Sequence, residues 1–227
     1  MLTRIAFITL ITIVRFHSPN WQEREKAFYE FIETGSKMDR GGQSVRLLTD
    51  LLEMETASVA LGEGAETEEH AEYYGDLIQA VATLRDPASL SALLKCVNTG
   101  GMAVNALATM GDGALTGALQ MMPGADPETH RNLVVLLAEI AQPSNMIKLT
   151  GERSRSALLA ALLGGAKDPD PDLRIAAVRG LARFRTSPEA AAVLDRLATS
   201  DDFTITANGD THYPVREAAA AVMKKSR

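Results

Sequence analysis

Residues 168–185 read DPDPDLRIAAVRGLARFR. Alternating aspartate and proline make a turn that cannot continue a preceding helix. Pro171 then fits the first turn of a new helix, where its missing N–H costs nothing. From Arg174 the apolar residues fall at helical spacing: Ala177 at +3, Leu181 at +7 and Phe184 at +10. The +7 and +10 residues lie about one turn apart on one face, and the alanine at +3 lets a neighbouring helix approach closely.

The same sentence recurs elsewhere. Near the C-terminus Pro214 precedes Arg216, followed by Ala219 and Met223; near the N-terminus Pro19 precedes Arg24, followed by Ala27 and Phe31. The middle of the chain keeps the apolar column without the arginine, at Val81, Leu107 and Leu137. From Val81 through Leu107, Leu137 and Leu181 to Met223 the successive gaps are 26, 30, 44 and 42 residues. Such a period marks stacked helical repeats, in which one hairpin cannot bury its apolar stripe alone and neighbours complete the core.

On these residues the chain resembles HEAT-repeat proteins, in particular the short HEAT-like repeats of bilin lyases. The resemblance is strongest over 168–185, fair over 85–112 and 214–225, and weak over 35–64. It implies an all-α, right-handed α-solenoid of antiparallel helix pairs with a concave face. It also implies a ladder in which Arg24, Arg174 and Arg216 bond acidic residues of neighbouring turns, with Asp170 or Asp172 as the expected acceptor for Arg174. Arg131 sits one position off the arginine column.

Coarse helices are expected over 2–16, 19–34, 43–60, 67–85, 87–97, 102–110, 113–122, 127–141, 143–149, 152–166, 171–184, 188–199 and 214–225. Gly35, Gly111 and Gly151 read as helix stops. Asp126-Pro127 reads as a capped start. Residues 200–213 depart from helix: Phe203–Thr206 and Thr211–Tyr213 flank Asn208-Gly209, a hairpin signal. The whole of 1–227 is expected to form one solenoid domain, with 61–66 as a loop between the first helices and the main array. Residues 1–16, with an uncharged run from Ile5 to Val14 after Arg4, read as the first helix of the stack or as an export signal too short to span a bilayer. Between these, a cytoplasmic location is favoured over an exported one, and no membrane span is expected.

Composition narrows the function. Hydrophobic residues make up 46% of 227 and aromatics 5%, a mixture suited to close helix packing. A formal net charge of -6 disfavours nucleic acid as a partner, and with it the reading as a HEAT-like DNA glycosylase. The lone Cys96 rules out an internal disulfide, and among Leu93, Leu94 and Val97 it reads as a buried thiol.

Glu66 and His70 share a helix face but lack further ligands. Asp201, Asp202, Asn208 and Asp210 do not have calcium-loop spacing. None of His17, His70, His130 and His212 precedes a glutamate, so the iron-binding His-Glu pairs of HEAT-like deoxyhypusine hydroxylases are missing. No phosphate loop and no Gly-x-Ser-x-Gly occurs. The expectation is therefore no catalytic residue, no cofactor and no metal.

Trp21 and Phe28, seven apart, are expected in the core and Tyr29 outside it. Tyr73 and Tyr74 are adjacent, so one of them is expected to be exposed. Tyr73, Tyr74, Arg179 and Arg183 are the candidate contacts to a protein partner. The reading that results is a non-enzymatic interaction scaffold. The alternative is a lyase or ligand-cradling enzyme of the bilin-lyase type.

Overall fold

A computed structural model describes residues 14–35, 42–62 and 67–224. Residues 1–13 of the ambiguous N-terminal segment lie outside them. The chain falls into two compact units, Met1–Ala106 and Leu107–Arg227. The division falls within a helix.

Unit 1 contains α1 (Trp21–Gly35), α2 (Gln43–Ala60), α3 (Glu68–Leu84) and α4 (Leu90–Lys95), the last flanked by 3-10 turns at Pro87–Ser89 and Val97–Thr99. The single helix expected over 87–97 is thus broken. Pro87 follows the capping Asp86, whose side chain accepts from the Ala88 amide at 2.8 Å, so the chain starts tightly wound. Thr67 caps α3 by accepting from the His70 amide. Trp21 lies against His70 and Tyr29 bonds Asp76, a nearly constant offset, so α1 and α3 run side by side in the same direction. α2 packs against α3 and α4. Phe16, in the helical turn at 14–16, is buried edge-on to Phe31 at 5.6 Å.

α5 (Gly101–Ala108) carries the division between the units. Unit 2 continues with α6 (Asp112–Met121), α7 (Pro127–Ile140), the single turn α8 (Pro143–Met146), α9 (Glu152–Gly165), α10 (Pro171–Leu181), α11 (Pro188–Ser200) and α12 (Pro214–Lys224). α10 packs between α7 and α12, while α6, α9 and α11 form the second layer behind them. α7, α10 and α12 each open on a proline, about 44 residues apart, so the repeat read from the sequence is the repeat of the packing. Asp126 caps α7 by accepting from the Glu128 and Thr129 amides, both at 3.0 Å, and Asp170 caps α10 through the Asp172 amide at 2.9 Å.

The apolar column is the core. Val81, Leu107, Leu137 and Leu181 are all fully buried, as are Ala27, Ala177 and Ala219 at +3. Met223 departs from the column and is 40% exposed. The helices of unit 2 approach closely at Gly180, where an added Cβ would stand 3.2 Å from the Ala138 Cα and nearer still to the tip of Leu162. Gly111 and Gly151 do not stop helices as expected. They begin α6 and α9, because the preceding segments have already turned.

The excursion expected at 200–213 is a two-stranded antiparallel hairpin, β1 (Ile205–Ala207) with β2 (Asp210–His212), paired Ile205 to His212. Asn208 and Gly209 both have positive φ, 54° and 85°, as a two-residue hairpin turn with right-handed strand twist requires. The fold class is an all-α solenoid of packed helical repeats with this one hairpin among the described residues.

Candidate protein-interaction surface

The arginine ladder organises both units. Arg24 is 4% exposed, and its Nε and Nη2 grip the carboxylate of Glu55, while Nη1 donates to the Ser18 carbonyl at 2.7 Å. Arg174 repeats the arrangement. Its Nε and Nη2 donate to Asp201 at 2.7 and 3.0 Å, and Nη1 to the Asp168 carbonyl six residues back at 2.9 Å. Two parallel N–H bonds from a planar guanidinium fix direction as well as distance.

The acceptor of Arg174 is therefore Asp201, at the end of α11, and neither Asp170 nor Asp172. Asp170 is committed to capping α10 and to Arg131, which donates to it at 2.8 Å; Asp172 is exposed in the first turn of α10. A side chain so close in sequence would have to fold back over its own helix start. The end of α11 presents its carboxylate face-on. Arg216 joins the same residue by donating to the Asp201 carbonyl, and stacks over the Tyr213 ring at 4.2 Å.

Glu55 is fully buried where α1, α2 and α3 meet. Besides Arg24 it accepts from the Tyr73 hydroxyl at 3.0 Å, and His70 Nε2 stands 3.2 Å from Oε2. His70 is thereby held in the core, stacked on Tyr74 and edge-on to Trp21. Both tyrosines are buried, against the expectation that one faces solvent. α3 has packed neighbours on two sides, so residues 100° apart on it both meet protein. Tyr73 packs on Phe28 and bonds Glu55. Tyr74 donates to Thr56 Oγ1 at 2.8 Å, since Thr56 spends its own hydrogen on the Leu52 carbonyl. Burial, and then the Glu55 carboxylate, push the Tyr73 phenol up; burial, and then Cys96, do the same for Tyr74. Cys96 is buried beside Thr56, and burial raises its thiol, which leaves it little thiolate.

Outside this core runs an apolar groove. α1 contributes Phe28, Tyr29, Phe31 and Ile32; α3 contributes Asp76, Gln79, Ala80, Thr83 and Leu84; α2 closes the floor with Ser44 and Leu48. Its volume is about 460 Å³. Tyr29 and Ile32, 36% and 43% exposed, stand on the lip. The Tyr29 hydroxyl donates to Asp76 at 3.0 Å, and burial followed by that bond pushes the phenol up to about 12. Of the expected contacts, Tyr73 supports the groove from behind, while Arg179 and Arg183 lie exposed on unit 2. The groove itself was not expected, because its lining comes from three helices and includes residues of the weakest repeat. Helical spacing of Phe28, Ile32, Asp76, Ala80 and Leu84 is the only trace it leaves in the sequence.

A second, polar hollow of about 780 Å³ lies beside the Arg174–Asp201 pair, lined also by Lys167, Arg196 and Asp202. Among the described residues no helix is long and apolar enough to cross a membrane.

No curated protein matches the chain. A designed armadillo repeat protein of known structure is similar to it at 16% identity and a TM-score of 0.43, over 95% of this chain and 98% of that one. The family model of HEAT repeats matches residues 115–224, the stretch that holds α7, α10 and α12 and their arginine ladder. Over residues 115–224, with its helices packed in these repeats, the chain is HEAT-like.

Proposed function

We propose that the chain is a non-enzymatic interaction module, and that the groove of unit 1 receives apolar side chains of a protein partner. HEAT repeats generally mediate protein–protein contact. The observation that carries the proposal is the groove: an apolar channel with Tyr29 and Ile32 on its lip, backed by the buried Arg24–Glu55–Tyr73 network that keeps α1 and α3 at fixed separation. Apolar and aromatic side chains in a preformed recess are where binding energy concentrates. Arg179 and Arg183 provide a second, cationic contact on unit 2.

The test is affinity capture from the native source with the wild-type chain and Ile32→Asp in parallel. A partner held by the first and lost by the second, with circular dichroism unchanged, is the expected result. Retention of every associated protein by Ile32→Asp refutes the reading.

A ligand-cradling lyase is the second reading, and it draws on the same groove, whose volume lies within the range of small-molecule sites. Titration with a free tetrapyrrole separates the two: a change in its absorbance or fluorescence that Ile32→Asp abolishes favours the cradle.

A further inference from the structure

The groove has two unlike ends. Toward the C-terminal halves of α1 and α3 it is apolar, with Ile32, Ala80 and Leu84. Toward their N-terminal halves the same strip of surface carries Glu25 on α1 and Glu69, Glu72 and Asp76 on α3. The α3 residues are spaced three and four apart and so share one face. Glu69 and Glu72 are exposed and Glu25 half-buried. The carboxylates feel one another: burial, then Glu69 and, more weakly, Glu72 push the Glu25 carboxyl up, against a counter-pull from His70. Arg24, in the N-terminal half of α1, is buried on Glu55 and turned into the core.

We infer that the occupant of this groove is a cationic amphipathic helix of a partner protein, laid between α1 and α3 with its apolar face on the Ile32–Leu84 end and its lysines or arginines on the Glu69–Asp76 end. The inference rests on the interaction reading above and names the chemistry of the partner.

Dimensions favour a helix. From Asp76 to Leu84 is about 12 Å along α3, two turns of an incoming helix, which matches apolar anchors at i, i+3 or i+4, and i+7. Glu69 extends the strip by another ~10 Å, so about 15 residues cover both ends. Two neighbouring helices also leave a ridged furrow into which a third packs. Strand addition needs a free strand edge, and the described residues of unit 1 contain no strand. An acidic segment or an anionic headgroup would meet like charge at the rim.

The experiment displays a library of 16-residue amphipathic helices with a fixed leucine stripe and randomised flanks, selected against the full-length chain. Expected is enrichment of Lys and Arg at one end of the helix. Binding should fall about tenfold in Glu69→Gln/Glu72→Gln and weaken as salt is raised. It should be lost in Ile32→Asp, with circular dichroism showing each variant folded.

Enrichment of neutral or acidic helices overturns the inference. So does affinity unchanged in the double variant, or a dimer of the chain itself that Ile32→Asp dissociates. The two proposals fail separately. If Ile32→Asp releases native partners while the library selects no cations, the interaction reading stands and the charge assignment falls.

Discussion

Replacing Glu55 with leucine tests whether the buried network holds unit 1 together. The carboxylate is fully buried and accepts from Arg24 Nε and Nη2 and from Tyr73. Leucine leaves the guanidinium of Arg24 charged in the core, and removing one partner of such a pair costs about 3–5 kcal/mol. Trp21 is the only tryptophan of the chain and packs on His70 at 4.8 Å, so its fluorescence follows unfolding of unit 1 alone. With a urea dependence of about 1–3 kcal/mol per molar, the midpoint should drop by roughly 2 M. Arg24→Met/Glu55→Leu removes both charges and should recover at least ~2 kcal/mol, because the isolated charge, rather than the lost attraction, carries most of the cost. The exposed pair Lys95–Glu53, 57% and 44% exposed, is the control, and Glu53→Gln should change stability by less than about 1 kcal/mol. A Glu55→Leu cost below about 1 kcal/mol refutes the reasoning. A double variant as unstable as the sum of the single ones refutes it equally.

Gly111→Ala should destabilise unit 2 by about 1–3 kcal/mol in thermal unfolding, since φ is +63° and the new Cβ would meet the Lys148 carbonyl oxygen at 2.6 Å. Gly75→Ala should cost less than about 1 kcal/mol, because its Cβ meets only the tip of the exposed, flexible Met102. Asp112 and Asp170 are held below the usual carboxylate range, the first by the Thr150 hydroxyl and the second by Arg131. Depressed carboxyls contribute stability above their unfolded value of 3.8 and lose it as pH falls through the folded one. Acid unfolding of unit 2 below about pH 4 should therefore be less steep in Thr150→Val, measured by circular dichroism. Tyr29, Tyr73 and Tyr74 should stay protonated past about pH 10, where a free phenol ionises, and the phenolate absorbance of native and urea-unfolded chain should differ accordingly.

Much of the fold was legible because repeat signals are local. Pro171 after Asp170, Pro127 after Asp126 and the Asn208-Gly209 turn act within a few residues, so their effect can be read where they stand. The 3.6-residue period of Val81, Leu137 and Leu181 needs only a helix and a neighbour to be interpreted. The destinations of the tyrosines and the partners of the charged side chains were not legible. The adjacency of Tyr73 and Tyr74 suggests that one is exposed, yet both are buried, since how many sides of α3 are covered depends on α1 and α2. Residues 35–64, the weakest stretch of the repeat, supply Glu55, the carboxylate shared by Arg24, His70 and Tyr73.

By itself the sequence determined that helices form, where many of them begin, that they recur at a repeat spacing, and that a hairpin interrupts them. Each of these depends on backbone geometry and on hydrogen bonds a few residues long. The tertiary structure alone decided that Arg174 pairs with Asp201 and Arg24 with Glu55, and that α1, α2 and α3 leave a groove between them. Those partners stand 27 and 31 residues apart, and a charge seeks whichever carboxylate the packed helices present to it, not the nearest along the chain.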